Sequence, residues 1–241
     1  MTARRAAGPG SAGELGGGER RAGWHRSAWL GAAGAGAAVL LRSSFAARAG
    51  SARFYLLTAS LAGTWAGGAL GVGPVPWRGD ARRGDAASPA SAARVLVISP
   101  VATGAAAFAV FYAAARVARR DPALRRAIAG VFRYADAGST PLVTVIAAGS
   151  GVAEELFFRG ALWSGPRPLR ATTLAYAAST AATGNPALVL AGLVTSVIFG
   201  WQRRASGGVL APALTHVTWS VLMLRYLPAQ FRDAGQAPDP G

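Results

Sequence analysis

Long apolar runs follow one another along most of the chain, separated by short connections that contain arginine. Several runs approach the roughly 20 residues that an α-helix needs to cross the hydrocarbon core of a bilayer. The pattern therefore predicts an all-α protein, a polytopic transmembrane bundle of about 6–8 helices. The apolar segments expected to be helical are 28–41, 54–73, 95–115, 142–163, 172–183, 188–201 and 209–227.

Composition divides the chain into four parts. Residues 1–23 are rich in glycine, alanine and arginine without periodicity, which predicts a disordered basic tail. Residues 24–134 hold the N-terminal transmembrane helices and a basic surface helix; the first apolar run, 28–41, is short and either crosses at an angle or lies in the interface. A helical core follows at 140–227, where short turns predict antiparallel neighbours. Residues 228–241 form a C-terminal tail.

The densest group of basic residues follows the third apolar run. It falls on a predicted amphipathic surface helix, whose Leu124, Ile128, Val131 and Phe132 are expected to face lipid. The positive-inside rule places this connection in the cytoplasm. The arginines of this basic cluster are Arg116, Arg119, Arg120, Arg125, Arg126 and Arg133.

The net charge of +15 comes entirely from arginine, because the chain contains no lysine. These arginines lie in the connections, where they favour anionic lipid head groups, and no basic stripe with interleaved aromatic residues marks a nucleic-acid surface. The expected partner is the lipid bilayer, with no nucleic acid, and the expected location is the cell membrane as a multi-pass protein. The arginine-, alanine- and glycine-rich composition suggests a GC-rich bacterial gene. With no cysteine, neither disulfides nor thiolate metal sites can form.

Two adjacent glutamates and an arginine lie inside the apolar run that begins near Thr140. On a helix Glu155 and Arg159 share a face at spacing i, i+4 and can pair, while Glu154 points about 100° away. A charge near the centre of a membrane helix costs roughly 2.5–3.5 kcal/mol on insertion scales, so a second glutamate indicates a function. A charge network that only fixes helix register is the alternative interpretation.

The last apolar run carries His216, with Ser220 one turn later on the same face. Alone, this histidine is as consistent with a hydrogen-bonded bundle residue as with a catalytic one. Together with an intramembrane Glu-Glu-x-x-x-Arg motif it becomes a candidate general acid/base or metal ligand. The other histidine, His25, stands beside the basic tail and is expected to be interfacial or solvated.

Glu154-Glu155-x-x-x-Arg159 followed by His216-x-x-x-Ser220 resembles the CPBP family of intramembrane proteases. This family includes type II CAAX prenyl endopeptidases and the bacteriocin-processing or self-immunity (Abi) proteins. The resemblance covers about 140–227 and implies an intramembrane endopeptidase that hydrolyses a peptide bond of a membrane-associated peptide or protein by glutamate-activated water. It implies that Glu154 is the general base, braced by Glu155 and Arg159. His216 would hold the water or the substrate carbonyl, and Ser220 would replace the asparagine that donates to the oxyanion.

The sequence departs from the family at its middle signature, Phe-x-x-x-His, because no histidine lies between Glu155 and His216. Thr183 and Asn185, at about the expected distance along the chain, are the candidate polar substitutes. Catalytic zinc takes three protein ligands, and the set available here, Glu154, His216 and at most Glu155, argues against a tightly held zinc. A water activated by glutamate without metal stays open.

Two other functions are compatible with the same residues. A catalytically inactive CPBP-like membrane scaffold or immunity protein would tolerate the missing histidine. A proton-coupled transporter could also use an intramembrane Glu–Arg pair with a histidine, although the two halves of the chain show no repeat.

Overall fold

The computed structural model describes residues 11–79, 91, 93–137 and 140–232, and within them every regular element is helical, which confirms the all-α prediction. Single π-helical turns precede α3 at Arg94–Ile98 and follow α5 at Leu156–Ala161. The helices are α1 (Ser11–Ala46), α2 (Ala52–Leu70), α3 (Ser99–Ala118), α4 (Pro122–Asp136), α5 (Thr140–Glu155), α6 (Pro168–Ala181), α7 (Pro186–Ser206), α8 (Leu210–Tyr226) and the short α9 (Ala229–Arg232).

Helix α1 differs from the sequence prediction because it begins at Ser11, inside the segment expected to be a disordered tail. Once a helix has nucleated, each added residue gains a hydrogen bond at little further cost, so a helix held against α2 can extend into a stretch that would not fold alone. The first ten residues of the predicted tail lie outside the described part of the chain, as do residues 233–241 of the C-terminal one.

Three helical segments are long and apolar enough to cross a membrane, by length and composition, among the residues that the structure describes. They are Arg94–Ala118, Pro141–Ala161 and Pro186–Ser206, and each coincides with a predicted apolar run. The protein is thus a membrane protein with its glutamate motif inside one of these segments.

The motif helix α5 lies between two helix pairs. On one side it packs on α2, where Trp65 contacts the rings of Phe157 and Phe158 at centroid distances of 4.6 and 4.9 Å. On the other side it packs on α8, which is held to α3 by a hydrogen bond from Thr215 Oγ1 to the Pro100 carbonyl at 3.0 Å. Glutamates on α5 therefore project into the interior of the bundle.

Helix α4 is amphipathic, but its apolar face is not turned to lipid as the sequence predicted. Ile128, Val131 and the buried Phe132 pack against α3 and α8, and only Leu124, at 43 % exposure, stays outside. The apolar face of an amphipathic helix is covered equally well by a neighbouring bundle or by lipid, so the pattern alone could not tell these apart. The six arginines of the basic cluster remain exposed.

Candidate active site

A buried charge network joins the motif helix to α8. Glu155 and Arg159 are both 0 % exposed, and Arg159 Nη1 donates to Glu155 Oε1 at 3.1 Å. The same oxygen lies 3.0 Å from Nδ1 of His216. Because a carboxylate only accepts, Nδ1 is the donor in this hydrogen bond, which fixes the orientation of the ring and leaves Nε2 for another partner. Glu155 therefore orients the histidine and is itself neutralised by the arginine.

Arg159 is fixed from several sides. Its Nη2 donates to the backbone carbonyl of Ser196 at 3.0 Å and to the Ser196 hydroxyl at 2.7 Å. The guanidinium also lies over aromatic rings, 5.1 Å from the Tyr176 centroid and 5.3 Å from the Phe199 centroid. Hydrogen bonds and ring faces together replace the water that a buried guanidinium would lose.

Glu154 has different surroundings from its neighbour. It is only partly buried, and its Oε2 accepts a 2.6 Å hydrogen bond from the Tyr176 hydroxyl on α6. Within the described part of the chain Oε1 has no hydrogen bond, while His216, Glu155 and Arg159 are near enough to interact electrostatically. Each glutamate thus keeps one oxygen without a hydrogen bond among the described residues, Oε1 of Glu154 and the buried Oε2 of Glu155. The difference between them is that Glu155 is ion-paired with Arg159, whereas Glu154 bonds only the neutral Tyr176 hydroxyl.

His216 is held by close packing. Its ring stacks on Phe199 with centroids 4.5 Å apart and an angle of 22° between the planes. On the α5 side it faces Gly151, where a Cβ would come within 3.3 Å of the ring. Glycine at this position lets α5 and α8 approach closely enough for the Glu155 hydrogen bond.

The motif helix changes its geometry as it passes through the site. From Leu156 to Ala161 it forms a π-helical turn, closed by a 2.8 Å hydrogen bond from the Leu162 amide to the Phe157 carbonyl. Two arginines donate to carbonyls of this turn, Arg203 Nε to Arg159 at 2.7 Å and Arg26 Nη2 to Ala161 at 2.7 Å. Turns of this type are frequent at functional sites.

The remaining predicted site residues divide into two cases. Ser220 is half-buried one turn after His216, on the helix that contacts α5. Thr183 and Asn185 are not brought to the network: Thr183 bonds within the α6–α7 turn, and Asn185 caps α7 by accepting from the amides of Ala187 and Leu188. Their role as substitutes for the middle histidine is therefore not supported, because turn and capping geometry already uses their polar atoms.

The residues present do not fit a zinc site with three protein ligands. Among the described residues no group of three histidine, cysteine, aspartate or glutamate side chains is placed to hold a metal. Glu155 Oε1 is shared between Arg159 and His216, which leaves Glu154 and the Nε2 of His216 as a two-donor set.

Two residues of the site were missed by the sequence analysis: Tyr176, which holds Glu154, and Ser196, which holds Arg159. Tyr176 gave one weak signal, since it is the only tyrosine between the two motifs, and Ser196 gave none. A third residue, Phe199, stacks on His216. Phe199-x-x-x-Arg203 has the spelling of the family's middle signature with arginine in place of histidine, but its position just before the last helix argued against that assignment.

A groove of about 750 Å³ lies beside the network, between α1 and α6. Small residues of both helices line it, together with Trp65, Phe157 and Phe158. The Phe158 ring lies 4.9 Å from the Tyr176 ring by centroids, so the groove ends one side chain away from the partner of Glu154.

Apolar helices around a buried Glu–Arg–His network define a helical membrane protein with a polar site in its bundle. Comparison with protein families gives the more specific assignment: residues 136–222 match the family described as type II CAAX prenyl endopeptidase Rce1-like. The match covers less than half of the chain, and within that segment it agrees with the resemblance to the CPBP family and supports a CAAX-type intramembrane protease fold. Comparison with curated proteins and with solved structures gave no match.

Proposed function

We propose that the protein is an intramembrane endopeptidase that hydrolyses a peptide bond of a membrane-associated substrate with water activated by Glu154. One observation carries the proposal: two adjacent glutamates have separate surroundings. Glu155 is fully buried and bonds Arg159 and His216 through Oε1, whereas Glu154 is partly exposed, has no ion pair in the described part of the chain and bonds Tyr176 through Oε2. Pairs of carboxylates with such different environments are typical of general acid–base catalysis. A multi-pass protein of the cell membrane is the setting that we propose for it.

The proton balance of the reaction closes on one residue. Glu154 Oε1 takes a proton from water as the water oxygen bonds to the carbonyl carbon. Glu154 then returns that proton to the amide nitrogen as the C–N bond breaks, giving a carboxylic acid and an amine. The Tyr176 hydroxyl, bonded to Oε2, fixes the carboxylate plane during both transfers.

His216 and Ser220 lie on α8, whereas Tyr176 lies on α6. His216, whose Nδ1 bonds Glu155, would help to hold the water or the substrate carbonyl through Nε2. The Ser220 hydroxyl would donate to the oxyanion, with one donor where asparagine has two. The groove beside Phe157 and Phe158 supports a peptide substrate that approaches from the membrane between α1 and α6.

The test replaces the native gene with a Glu154→Gln version at equal expression and compares the peptide termini of the membrane proteome by mass spectrometry. Glutamine keeps the Tyr176 hydrogen bond but cannot take a proton. New termini found only with the wild-type gene would support proteolysis and identify the substrate. Identical termini under several growth conditions, with both proteins folded and abundant, would reject it.

A catalytically inactive scaffold is the second candidate. The absence of a three-residue metal-binding group in the described part of the chain favours it, since the family pattern has a histidine here that this chain lacks. The same comparison of termini separates the two functions. Co-purified membrane proteins that are unchanged by Glu154→Gln would support the scaffold.

A further inference from the structure

Ser150, one turn before the glutamates on α5, has an unusual environment. It is 8 % exposed, and its Oγ has no hydrogen-bond partner among the residues that the structure describes. A buried serine within a helix ordinarily donates to a carbonyl three or four residues earlier. Ser44 on α1 does so: it is 2 % exposed and donates to the Leu41 carbonyl at 2.8 Å. The Ser150 hydroxyl is therefore turned away from its own helix.

The position of Ser150 relative to the site follows from helix geometry. It stands four residues before Glu154, so the two side chains lie on one face, one turn apart. Glu154 also has an oxygen without a hydrogen bond in the described part of the chain, because Tyr176 engages only Oε2. Gly151, the residue after Ser150, faces the His216 ring on the α8 side. Ser150 Oγ and Glu154 Oε1 are thus two unbonded polar atoms on one face of α5, next to the face that meets His216.

A water molecule held inside a protein needs two to four polar partners. Glu154 alone cannot orient a water, because a single hydrogen bond leaves the molecule free to rotate about it. An unpartnered buried hydroxyl is a net cost to the folded state, which a bound water would remove.

We propose that Ser150 Oγ and Glu154 Oε1 together bind the water that attacks the peptide bond; this assignment rests on the proposed hydrolase function. Ser150 accepts one hydrogen of the water while Glu154 accepts the other. The water lone pair is then directed at the substrate carbonyl, and the proton that leaves goes to Glu154. Ser150 takes no proton itself and acts by positioning.

The experiment compares Ser150→Ala with Ser44→Ala, a matched control in which the lost hydroxyl was satisfied by its own helix. Thermal unfolding and the kinetics of cleavage are measured for each. Ser150→Ala is expected to lower kcat by about 10–100-fold with KM little changed, and to leave the melting temperature equal or higher. Ser44→Ala is expected to lower the melting temperature slightly without changing kcat. Ser150→Cys, nearly equal in volume but weak in hydrogen bonding, should be as slow as Ser150→Ala.

Unchanged kcat in both Ser150 variants, or a Ser150→Ala protein that is destabilised as much as Ser44→Ala, would overturn the assignment. Radiolytic hydroxyl labelling provides a readout that does not need activity, since bound water labels the side chains beside it. Ser150→Ala should reduce labelling of His216 and Tyr176 relative to wild type. If the wild-type protein shows no cleavage and the reduction in labelling is still observed, the hydrolase function is rejected and the water site is supported. Equal labelling of wild type and Ser150→Ala would reject the water site.

Discussion

Removal of the Glu155 carboxylate gives the most direct test of the buried network. In Glu155→Ala the Arg159 guanidinium, 0 % exposed, loses its ion pair, and His216 loses the acceptor at Nδ1. Breaking one partner of a buried pair costs about 3–5 kcal/mol of stability, because the other charge stays buried and uncompensated. For a chain of this size about 2–4 °C of melting temperature corresponds to each kcal/mol. We therefore expect a decrease of about 6–20 °C.

The measurement is thermal unfolding in lipid nanodiscs, followed by tryptophan fluorescence. Glu154→Gln is the matched control, because a glutamine oxygen still accepts from Tyr176 and no ion pair is broken. We expect this control to change stability by less than about 1 kcal/mol. A double replacement, Glu155→Leu with Arg159→Met, should recover much of the loss, since it removes both charges. Equal melting temperatures for Glu155→Ala and Glu154→Gln would contradict the network described above.

Three further changes test other parts of the structure. Gly151→Ala places a methyl group 3.3 Å from the His216 ring and should reduce cleavage more than about 10-fold. Its control, Gly149→Ala, meets no atom within 4 Å and should stabilise α5 by about 0.5–1 kcal/mol. Unfolding and cleavage assays on both variants would show whether contact with His216 matters. Asn185→Ala should lower the free energy of unfolding by about 0.5–2 kcal/mol by removing the α7 cap, with kcat unchanged. A large loss of kcat would show that this residue takes part in the site. Replacing Arg119, Arg120, Arg125 and Arg126 by glutamine should weaken retention of anionic lipid in nanodiscs by about 1 kcal/mol per arginine, measured by lipid mass spectrometry against neutral lipid.

Much of the site could be predicted from local spacing. Glu155 and Arg159 pair because i, i+4 residues share a helix face whatever the rest of the fold does. The separation of Glu154 from Glu155 follows from the same geometry. A histidine in an apolar helix was a reasonable partner for the motif. In the structure its Nδ1 lies 3.0 Å from Oε1 of Glu155, so its direct hydrogen bond is to Glu155 and not to Glu154.

Contacts between distant segments could not be predicted in this way. Tyr176 reaches Glu154 across 22 positions, and Ser196 reaches Arg159 across 37, through the packing of α6 and α7 on the motif helix. Thr183 and Asn185 were proposed for the site because they lie at the expected distance along the chain from the motif. In the structure their side chains instead bond locally, Thr183 in the turn and Asn185 as the cap of α7. Sequence distance carries no information about which way a helix faces.

The π-helical turn at Leu156–Ala161 makes the chain sensitive to length at this point. A π turn holds one residue more than the α-helical turn that could replace it. Deletion of a single residue here would convert the π turn into an α-helical turn and leave the residues after it on about the same side of the helix. A further insertion is not absorbed in this way and would rotate the following residues by about 100° relative to Glu154 and Glu155. The carbonyls that accept from Arg26 and Arg203 would then point elsewhere. This stretch should therefore tolerate substitutions, or the loss of one residue, better than the insertion of one.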